Sequence, residues 1–575
     1  MLGRRGSGAR FANALLISAV ALGVYAAAIA ITGGFDVRLA GVRLRSHSWL
    51  RPALPALVFA LILVGIARER VALTLAACWQ GLETQVASRA LGFAAAAWAL
   101  TAGLLFGTFA VGGADSYGYL SQALLFADGR IVDTVPLDSS YTWPHAHKTM
   151  TPLGFRVGTE PGVIAPTYPP GLPLLMTPAT FVSDRAVYFI VPLFGLIAIW
   201  LTYRLGRACG DPLAAGLAAV LASASPTFLF QVVQPMSDVP ATACWLAALL
   251  LAARGRPAAG WAGAVASFAI LIRPNLAPLA IVPFLLVTRS VPREQRQRSA
   301  ALFLGALIPA AMTLGWIQSV RYGSAFGSGY GDIDHLFSWQ NVGPNLDRYP
   351  RWLTETHTWF IWLAPAAPIV LGRRDARART LGWAAIAFSA ATLAVYLPYA
   401  YFQLHEWNYS RFLLPAIPLL LLLATIVALF AIRHAPLPAR LPIAAVLFPG
   451  LIAFCLSTAE QRHAFSIKDG EQRYPKVGDY VHRRLPADAI VFAGQHSGSI
   501  RMYGRRPIVR SDLLEPDALD SVLATLRANG RMPFMVVDDI EFTEFRARFR
   551  AAGQAGVDQA RLVGLVENVR IYAFD

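Results

Sequence analysis

Residues 90–120 read ALGFAAAAWALTAGLLFGTFAVGGADSYGYL, an apolar run that ends in glycines, an aspartate and two tyrosines. A helix needs about 20 mostly apolar residues to cross a bilayer, and this run supplies them. Asp115 follows the run directly. The stretch therefore predicts a membrane-spanning helix that carries a carboxylate just beyond its end.

The composition of the whole chain agrees with a membrane protein. The 575 residues are 56% hydrophobic and 15% charged, and the mean hydropathy is +0.49. Soluble domains carry about a quarter charged residues, so ordinary soluble domains and disordered chains are excluded. The four cysteines lack C-x-x-C spacing, which argues against a cysteine-based zinc or redox motif.

Thirteen stretches are apolar enough to be predicted as spans. They are 11–33, 52–67, 90–111, 186–203, 212–230, 239–253, 259–272, 275–288, 299–319, 357–371, 381–402, 412–432 and 440–458. The stretch 71–80 is too short to span and is predicted as part of a loop. The first stretch resembles a signal peptide but is too long for one, so we interpret it as a retained anchor.

The arginines indicate an orientation with the N-terminus inside. The loops on the cytoplasmic side then hold 20 arginines and five acidic residues, whereas the opposite loops hold 13 basic and 13 acidic ones. This is the bias expected of cytoplasmic loops, although 34–51 carries four arginines on the other side. The net charge of +16 is thus explained by membrane orientation, and no nucleic-acid partner is predicted.

From about residue 460 the composition becomes that of a soluble protein. Strands are predicted at 489–493, 507–510, 534–538 and 569–574, alternating with helices at 477–485, 497–503, 516–528 and 542–552. This alternation predicts a small α/β domain with a largely parallel sheet. The turn 493–498 follows a strand and could hold a phosphate, but it does not fit G-x-G-x-x-G, so an ordinary strand-to-helix turn is the favoured interpretation.

Together these features predict a polytopic α-helical membrane protein of about 13 helices, N-terminus in and C-terminus out. We divide it into an N-terminal transmembrane region (1–89), a transmembrane module (90–458) with a long external loop (112–185), and an extracytoplasmic α/β domain (460–575).

The external loop carries the first candidate functional residues. Asp115 is either a general base or merely the cap of the helix predicted from the apolar face of Tyr119–Phe126. The loop ends in Tyr168-Pro-Pro-Gly171, where a second short helix is expected. His145 and His147 could ligate a metal, but no third ligand is apparent, so surface histidines remain the simpler interpretation.

More polar residues lie at predicted external ends of spans: Asp238, Arg273, Glu406 and Arg411. Charges near the membrane boundary are costly unless they are paired, hydrated or functional. Each arginine either extends to the surface or clamps a phosphate, which a guanidinium matches with two parallel hydrogen bonds.

Taken in order, these motifs resemble the GT-C superfamily of integral-membrane glycosyltransferases, especially its protein O-mannosyltransferase-like and aminoarabinose-transferase-like branch. The resemblance rests on Asp115-Ser-Tyr-Gly-Tyr119, Tyr168-Pro-Pro-Gly171 and Arg411-Phe-Leu-Leu-Pro415, and it covers roughly 90–455. In two respects the chain departs from the family. Ser116 stands where many relatives carry a second acidic residue, and two additional spans precede the one that leads to Asp115.

The resemblance implies a donor sugar on a polyprenyl phosphate, transferred with inversion on the extracytoplasmic face of the inner (plasma) membrane. Asp115 is then the general base, and the donor phosphate or substrate is bound by residues that share its side of the membrane, namely Tyr119, Tyr168, Asp238, Arg273, Glu406 and Arg411. The sugar could be a hexose or a pentose, and the acceptor a lipid, a glycan or a protein. No cofactor and no metal site are predicted, although a divalent metal is not ruled out.

Two other functions remain open on sequence. A lipid-linked sugar flippase would place charged residues near the bilayer midplane and show internal repeats, whereas here the charges cluster at external ends. A non-catalytic scaffold for the C-terminal domain would not need so large a polar loop as 112–185.

Overall fold

The computed structural model describes residues 50–574 apart from 332, 333, 335, 374 and 402–406, and of the earlier residues only 14, 15, 18, 19, 21–23, 25, 26, 29, 35–39, 42–46 and 48. Most of the predicted span 11–33 therefore lies outside the described residues, as does Glu406. From residue 50 to about 461 the described chain is mostly helical.

The chain begins its described course with a hairpin and two long helices. Strands β1 (Phe35–Leu39) and β2 (Val42–Ser46) pair antiparallel, and helices α1 (Leu50–Leu82) and α2 (Gln85–Leu105) follow. Helix α1 runs through 71–80, so the loop predicted there is wrong. The stretch is too short to span by itself, but no glycine or proline between Ile66 and Gln80 stops the helix that precedes it.

Within the described residues, the external loop contains three helices and a small sheet. Its elements are α3 (Asp115–Ala127), β3 (Asp133–Thr134), α4 (Ala146–Thr149), β4 (Phe155–Val157), β5 (Val163–Pro166) and α5 (Gly171–Thr180). The strands form an antiparallel sheet in the order β3-β5-β4. The helices predicted after Asp115 and after Gly171 are present as α3 and α5.

The rest of the bundle, where the structure describes it, contains thirteen α-helices. They are α6 (Ile190–Ala208), α7 (Pro212–Ala224), α8 (Pro226–Val232), α9 (Asp238–Ala252), α10 (Ala259–Ile272), α11 (Ile281–Arg289), α12 (Arg293–Gly305), α13 (Ile308–Tyr322), α14 (Val342–His357), α15 (Ala367–Gly372), α16 (Ala376–Tyr396), α17 (Ile417–Ile432) and α18 (Leu437–Gln461). Each predicted span from 52–67 onward overlaps one of these helices or α1 and α2.

The count of thirteen spans is not confirmed. Within the described chain, five helical stretches are long and apolar enough to cross a membrane, or up to seven if two bent pairs are each one span. The bent pairs are α7 with α8 (62°) and the 3₁₀ helix Trp407–Leu413 with α17 (83°). The first bend falls at Ser225-Pro226, where proline cannot continue a helix ladder.

Small residues pack the centre of the bundle. Helix α2 lies against α6 and α7, and its buried side is almost entirely alanine and glycine. Small side chains let helix backbones approach closely, which is how helices associate in lipid. Packing of this kind fixes the position of α2, and thus of the chain that leads to Asp115.

The C-terminal part is an α/β unit. Its elements are α19 (Ile467–Glu471), α20 (Arg473–Arg484), β6 (Ala489–Phe492), α21 (Ser497–Ser499), β7 (Ile508–Val509), α22 (Leu519–Ala528), β8 (Met532–Asp538), α23 (Asp539–Ala551), β9 (Ala560–Val566) and β10 (Val569–Phe574). The predicted strands and helices are present, with shifted ends, but β9 is an addition.

The prediction of a largely parallel sheet is wrong. The strand order is β7-β6-β8-β10-β9, and only the pairs that β6 makes with β7 and with β8 are parallel. Strand β10 is antiparallel to both β8 and β9. The reason is the two-residue turn at Glu567-Asn568, which joins β9 and β10 as a hairpin and so forces them antiparallel.

The external loop and the C-terminal unit share one hydrophobic core. Tyr117 and Trp143 of the loop belong to the same buried cluster as Phe492 and Val509. The Ser497 hydroxyl also accepts a hydrogen bond from the Leu153 amide (3.0 Å). The C-terminal unit is therefore packed directly on the loop that carries Asp115.

Candidate active site

Asp115 is the first residue of α3, and both of its carboxylate oxygens are engaged. Oδ1 accepts a hydrogen bond from the Tyr168 hydroxyl (2.5 Å), and Oδ2 accepts one from Nη2 of Arg411 (2.9 Å). The helix cap is Ala114, so Asp115 does not hold the capping position that was its alternative role. The carboxylate instead connects its own motif to the Tyr168 motif, 53 residues away, and to the Arg411 motif, 296 residues away.

The surroundings of Asp115 favour its charged form. Burial opposes ionisation, but the Arg411 guanidinium and the Tyr168 hydrogen bond outweigh it and hold the pKa of the carboxyl below its usual range. Tyr168 itself stays protonated, because burial and the neighbouring carboxylate raise its pKa well above the usual value. The side chain of Asp115 is nevertheless 29% exposed, so another molecule can reach it.

Two glycines explain why the motifs can meet. A Cβ atom on Gly118 would lie 2.4 Å from the ring of Tyr168, so only glycine lets that ring approach α3. A Cβ atom on Gly171 would lie 2.3 Å from the amide nitrogen of Ile272, next to Arg273. Ser116, where relatives carry an acid, bonds back to the backbone of Gly112 and holds the turn before Asp115.

A second ion pair lies beside the first. Nη2 of Arg273 is 2.7 Å from Oδ1 of Asp238, the first residue of α9, which is 1% exposed. Nε of Arg273 donates to the Ser237 hydroxyl (3.0 Å), which also accepts from the Tyr119 hydroxyl (2.9 Å). The structure thus joins Tyr119, Asp238 and Arg273 in one network.

Both predicted arginines stay in the interior. The ring of Phe412 lies under the guanidinium of Arg273 at 5.3 Å and under that of Arg411 at 5.0 Å, both distances measured to its centroid. Such contacts stabilise cations through the ring's quadrupole. With a carboxylate partner each, neither guanidinium extends to the surface, which was one of the two alternatives for each arginine.

These groups surround a cavity of about 430 Å³. Ligand sites of proteins usually measure 300–1,000 Å³. Five of the predicted residues line the cavity: Asp115, Tyr119, Tyr168, Arg273 and Arg411. Asp238 lies behind Arg273, outside the lining.

Sequence reasoning missed a third arginine of the cavity, Arg321, near the end of α13. It is 2% exposed, and its Nε and Nη2 have no hydrogen-bond partner among the described residues. Its Nη1 donates weakly to the Tyr168 carbonyl (3.4 Å). The sequence did offer an indication, because Arg321 lies just beyond the predicted span 299–319, at an external end like Arg273 and Arg411.

His147 and the C-terminal turn are each bonded to another part of the chain. Nε2 of His147 bonds to the Val163 carbonyl (3.1 Å). In the part of the chain that the structure describes, no three His, Cys, Asp or Glu side chains are grouped to hold a metal. In the turn 493–498, the backbone N–H of Gln495 donates to the Glu541 carboxylate (2.7 Å). A protein group therefore occupies the place suggested for a phosphate.

Comparison with known proteins bears on the fold that carries these residues. Residues 168–316, which include Tyr168 and Arg273, match the family model described as dolichyl-phosphate-mannose-protein mannosyltransferase. The apo structure of ArnT from Cupriavidus metallidurans matches with a TM-score of 0.52 and 15% identity, over 87% of this chain and 98% of that one. The chain has the GT-C fold of membrane glycosyltransferases.

Other GT-C structures match as well. The oligosaccharyltransferase of Archaeoglobus fulgidus, solved with zinc and sulfate, gives a TM-score of 0.52 at 13% identity, over 80% of this chain and 69% of that one. ArnT from Cupriavidus metallidurans solved with undecaprenyl phosphate gives 0.48 at 13% identity, over 85% of this chain and 97% of that one. No curated protein matches the chain significantly by sequence. The two matches with a TM-score of 0.52 confirm the GT-C resemblance, and together with the family model they support a membrane glycosyltransferase.

Proposed function

We propose that the chain transfers a sugar from a polyprenyl-phosphate-linked donor to an acceptor hydroxyl, with inversion at the sugar carbon. The observation that carries the proposal is the cavity itself, in which an ionised carboxylate and three arginines face one another. The description of the matching family model, which names a sugar carried on a lipid phosphate, supports the donor class.

The proposed step needs a base on one side of the sugar and positive charge on the other. The acceptor oxygen attacks the sugar carbon, the bond from that carbon to the phosphate oxygen breaks, and the acceptor proton passes to Asp115. A carboxylate has about four acceptor positions, so Asp115 can take this proton while Tyr168 and Arg411 remain bound. Side chains supply the acid–base chemistry and the charge, so the proposed step uses no cofactor.

The leaving phosphate gains charge during the step and needs cationic stabilisation. Arg411 and Arg273 are each paired with a carboxylate, whereas two nitrogens of Arg321, Nε and Nη2, have no partner among the described residues. A buried charge without a partner is costly. We therefore assign the donor phosphate first to Arg321, with Arg411 and Arg273 contributing charge from beside it.

The proposed site faces the extracytoplasmic side of the inner (plasma) membrane. The support is the arginine bias of the loops at the other end of the bundle. On that side a lipid-linked donor is accessible and cytosolic nucleotide sugars are not. The proposal covers hexoses and pentoses, and lipid, glycan and protein acceptors.

A transfer assay with the purified, reconstituted chain tests the proposal. Donors with a radiolabelled sugar on polyprenyl phosphate should lose their label to an acceptor. Movement of intact labelled lipid across the bilayer would instead indicate a flippase, and neither event would indicate a scaffold.

The same assay tests the role of Arg321. Arg321→Gln should raise the KM for the donor about 10- to 100-fold, the scale of a lost charged hydrogen bond. Arg185→Gln, an exposed arginine in the segment after α5, is the control and should leave KM unchanged. An unaltered KM for the donor in Arg321→Gln would show that Arg321 does not bind the donor phosphate.

A further inference from the structure

A second cavity, of about 1,140 Å³, lies at the opposite end of the bundle. Six arginines line it: Arg89, Arg204, Arg207, Arg254, Arg289 and Arg377. Three helices connect the two cavities. Helix α2 starts beside Arg89 and ends before Asp115, α9 starts at Asp238 and ends before Arg254, and α16 starts beside Arg377 and ends at Tyr396.

The distance between the cavities fits the thickness of a membrane. Helices α2 and α16 each have 21 residues, which correspond to about 31 Å of helix. The hydrocarbon core of a bilayer is about 30 Å thick. The arginine cavity therefore lies where the headgroups of the leaflet opposite to the Asp115 site would be.

The protein does not neutralise these arginines. Among the described residues, no carboxylate is within ion-pair distance of any of the six, and two of them donate only to neutral oxygens: Arg207 to the Tyr203 hydroxyl (3.0 Å) and Arg377 to the Ala253 carbonyl (2.8 Å). Two carboxylates of the same end, Glu83 and Asp211, are both bound by Arg433. Like charges gathered in one cavity repel one another, so an anion bound there would be stabilised.

Aromatic side chains form the wall on the membrane side of the arginines. Phe93 is one helical turn beyond Arg89, and Trp200 is one turn before Arg204, so both lie closer to the bilayer centre. The Phe93 ring meets Trp200 edge to face at 6.0 Å and is itself 68% exposed. A free anion would use only the arginines, whereas a lipid would also use this apolar wall for its acyl chains.

We propose that this cavity binds the phosphate headgroup of an anionic phospholipid from the leaflet at that end of the bundle. The phosphate pairs with the arginines, and the acyl chains descend along Phe93 and Trp200. Because five helices (α2, α6, α9, α11 and α16) contribute to the lining, the bound lipid fixes their ends relative to one another. Basic cavities between membrane helices are known to recognise such headgroups.

Native mass spectrometry of the purified full-length chain tests the proposal. The detergent-solubilised protein is titrated with phosphatidylglycerol, with zwitterionic phosphatidylcholine as the reference lipid and inorganic phosphate as the free anion. We expect phosphatidylglycerol to be retained at lower concentration than phosphatidylcholine. Displacement of phosphatidylglycerol by millimolar inorganic phosphate would assign the cavity to a free anion and overturn the lipid source.

Charge-matched variants locate the site. The triple substitution R204Q/R254Q/R289Q should weaken phosphatidylglycerol binding about 10- to 100-fold. The control R293Q/R296Q/R298Q removes three exposed arginines of α12, which lie outside the cavity lining, and should keep the preference. Equal loss in both variants would reduce the effect to net charge and contradict a specific site.

A measurement on the unaltered chain covers the case in which the triple variant does not fold. Phosphatidylglycerol with a photoreactive group in the acyl chain should crosslink to peptides that contain Phe93 or Trp200. Crosslinks confined to other parts of the chain would overturn the proposal.

Discussion

At the end of the bundle that holds Asp115, two of the three cavity arginines have a carboxylate partner. Arg411 lies 2.9 Å from Asp115, and Arg273 lies 2.7 Å from Asp238. At the other end, the described residues that line the cavity include six arginines and no acidic residue. The first set is buried or half-buried, whereas Arg207 is half-buried and the other five of the second set are exposed.

The difference separates the charges proposed for chemistry from the charges proposed for lipid attachment. A buried pair fixes the ionisation and the direction of a carboxylate, which a general base requires. Unpaired exposed arginines fix nothing by themselves, but they attract an anion from outside the chain. Arg321 lies between the two cases, because it is buried in the first set and still unpaired.

The largest effect is expected from removing the charge of the proposed base, Asp115. Asp115→Asn should lower kcat/KM for transfer about 10²- to 10⁴-fold, the usual contribution of a general base. The amide keeps the shape of the side chain but cannot take the acceptor proton. Transfer of labelled sugar by the reconstituted variant is the measurement.

The matched control is Asp128→Asn, at the far end of α3, where the carboxylate is 61% exposed and faces Arg130. It should keep full activity. If the Asp115→Asn variant is solubilised and elutes from gel filtration like the unaltered chain and keeps full activity, Asp115 is not the general base.

The next largest effect concerns stability. Arg273→Gln leaves Asp238 buried without its cation, and we expect unfolding to become easier by about 3–5 kcal/mol. The double variant R273Q/D238N should recover most of this loss, because neither charge remains. Arg254→Gln, in lipid-free detergent, removes an arginine without a carboxylate partner and should not lower Tm. Equal destabilisation by Arg273→Gln and Arg254→Gln, measured by thermal unfolding, would contradict the contrast between the two ends.

The sequence predicted the helical segments well, because an apolar run in lipid has few alternatives to a helix. The sequence predicted less well which of these helical segments are long enough, without a break, to cross the membrane. Prolines such as Pro226 break the ladder inside an apolar run, and hydropathy does not register the break. The antiparallel edge of the C-terminal sheet was missed because the relative direction of β9 and β10 depends on the two-residue turn between them, which the alternation of helices and strands does not reveal.

Residues of the candidate site were predictable where their position in the sequence was itself unusual for their side chain. Asp115, Arg273 and Arg411 are charged residues at the ends of apolar runs, and charges there are costly without a purpose. Their pairing was not predictable, since Asp115 and Arg411 are 296 residues apart and meet only through packing. Arg321 was missed because its neighbours in sequence form no motif, and its lack of a partner is visible only in three dimensions.

The smallest effect concerns how Tyr168, beside Arg411, lowers the pKa of the Asp115 carboxyl. The Tyr168 hydroxyl donates to Oδ1 of Asp115 at 2.5 Å, and this bond helps to lower the pKa of the carboxyl. Tyr168→Phe removes the bond, so that pKa should rise. A base works while it is ionised, so its activity is present above its pKa and falls as pH drops through it. The acid limb of the profile of kcat/KM against pH should therefore move to higher pH in the variant.

At neutral pH the same variant should lose only about 2- to 10-fold in rate, the value of one neutral hydrogen bond, because Arg411 still keeps Asp115 ionised. Tyr322→Phe is the matched control. Its hydroxyl lines the same cavity but donates to the Pro166 carbonyl (2.6 Å), so its acid limb should stay in place. An acid limb that moves equally in both variants would mean that removing either hydroxyl perturbs the cavity as a whole. An acid limb unmoved in Tyr168→Phe would mean that Arg411 alone sets the ionisation of Asp115.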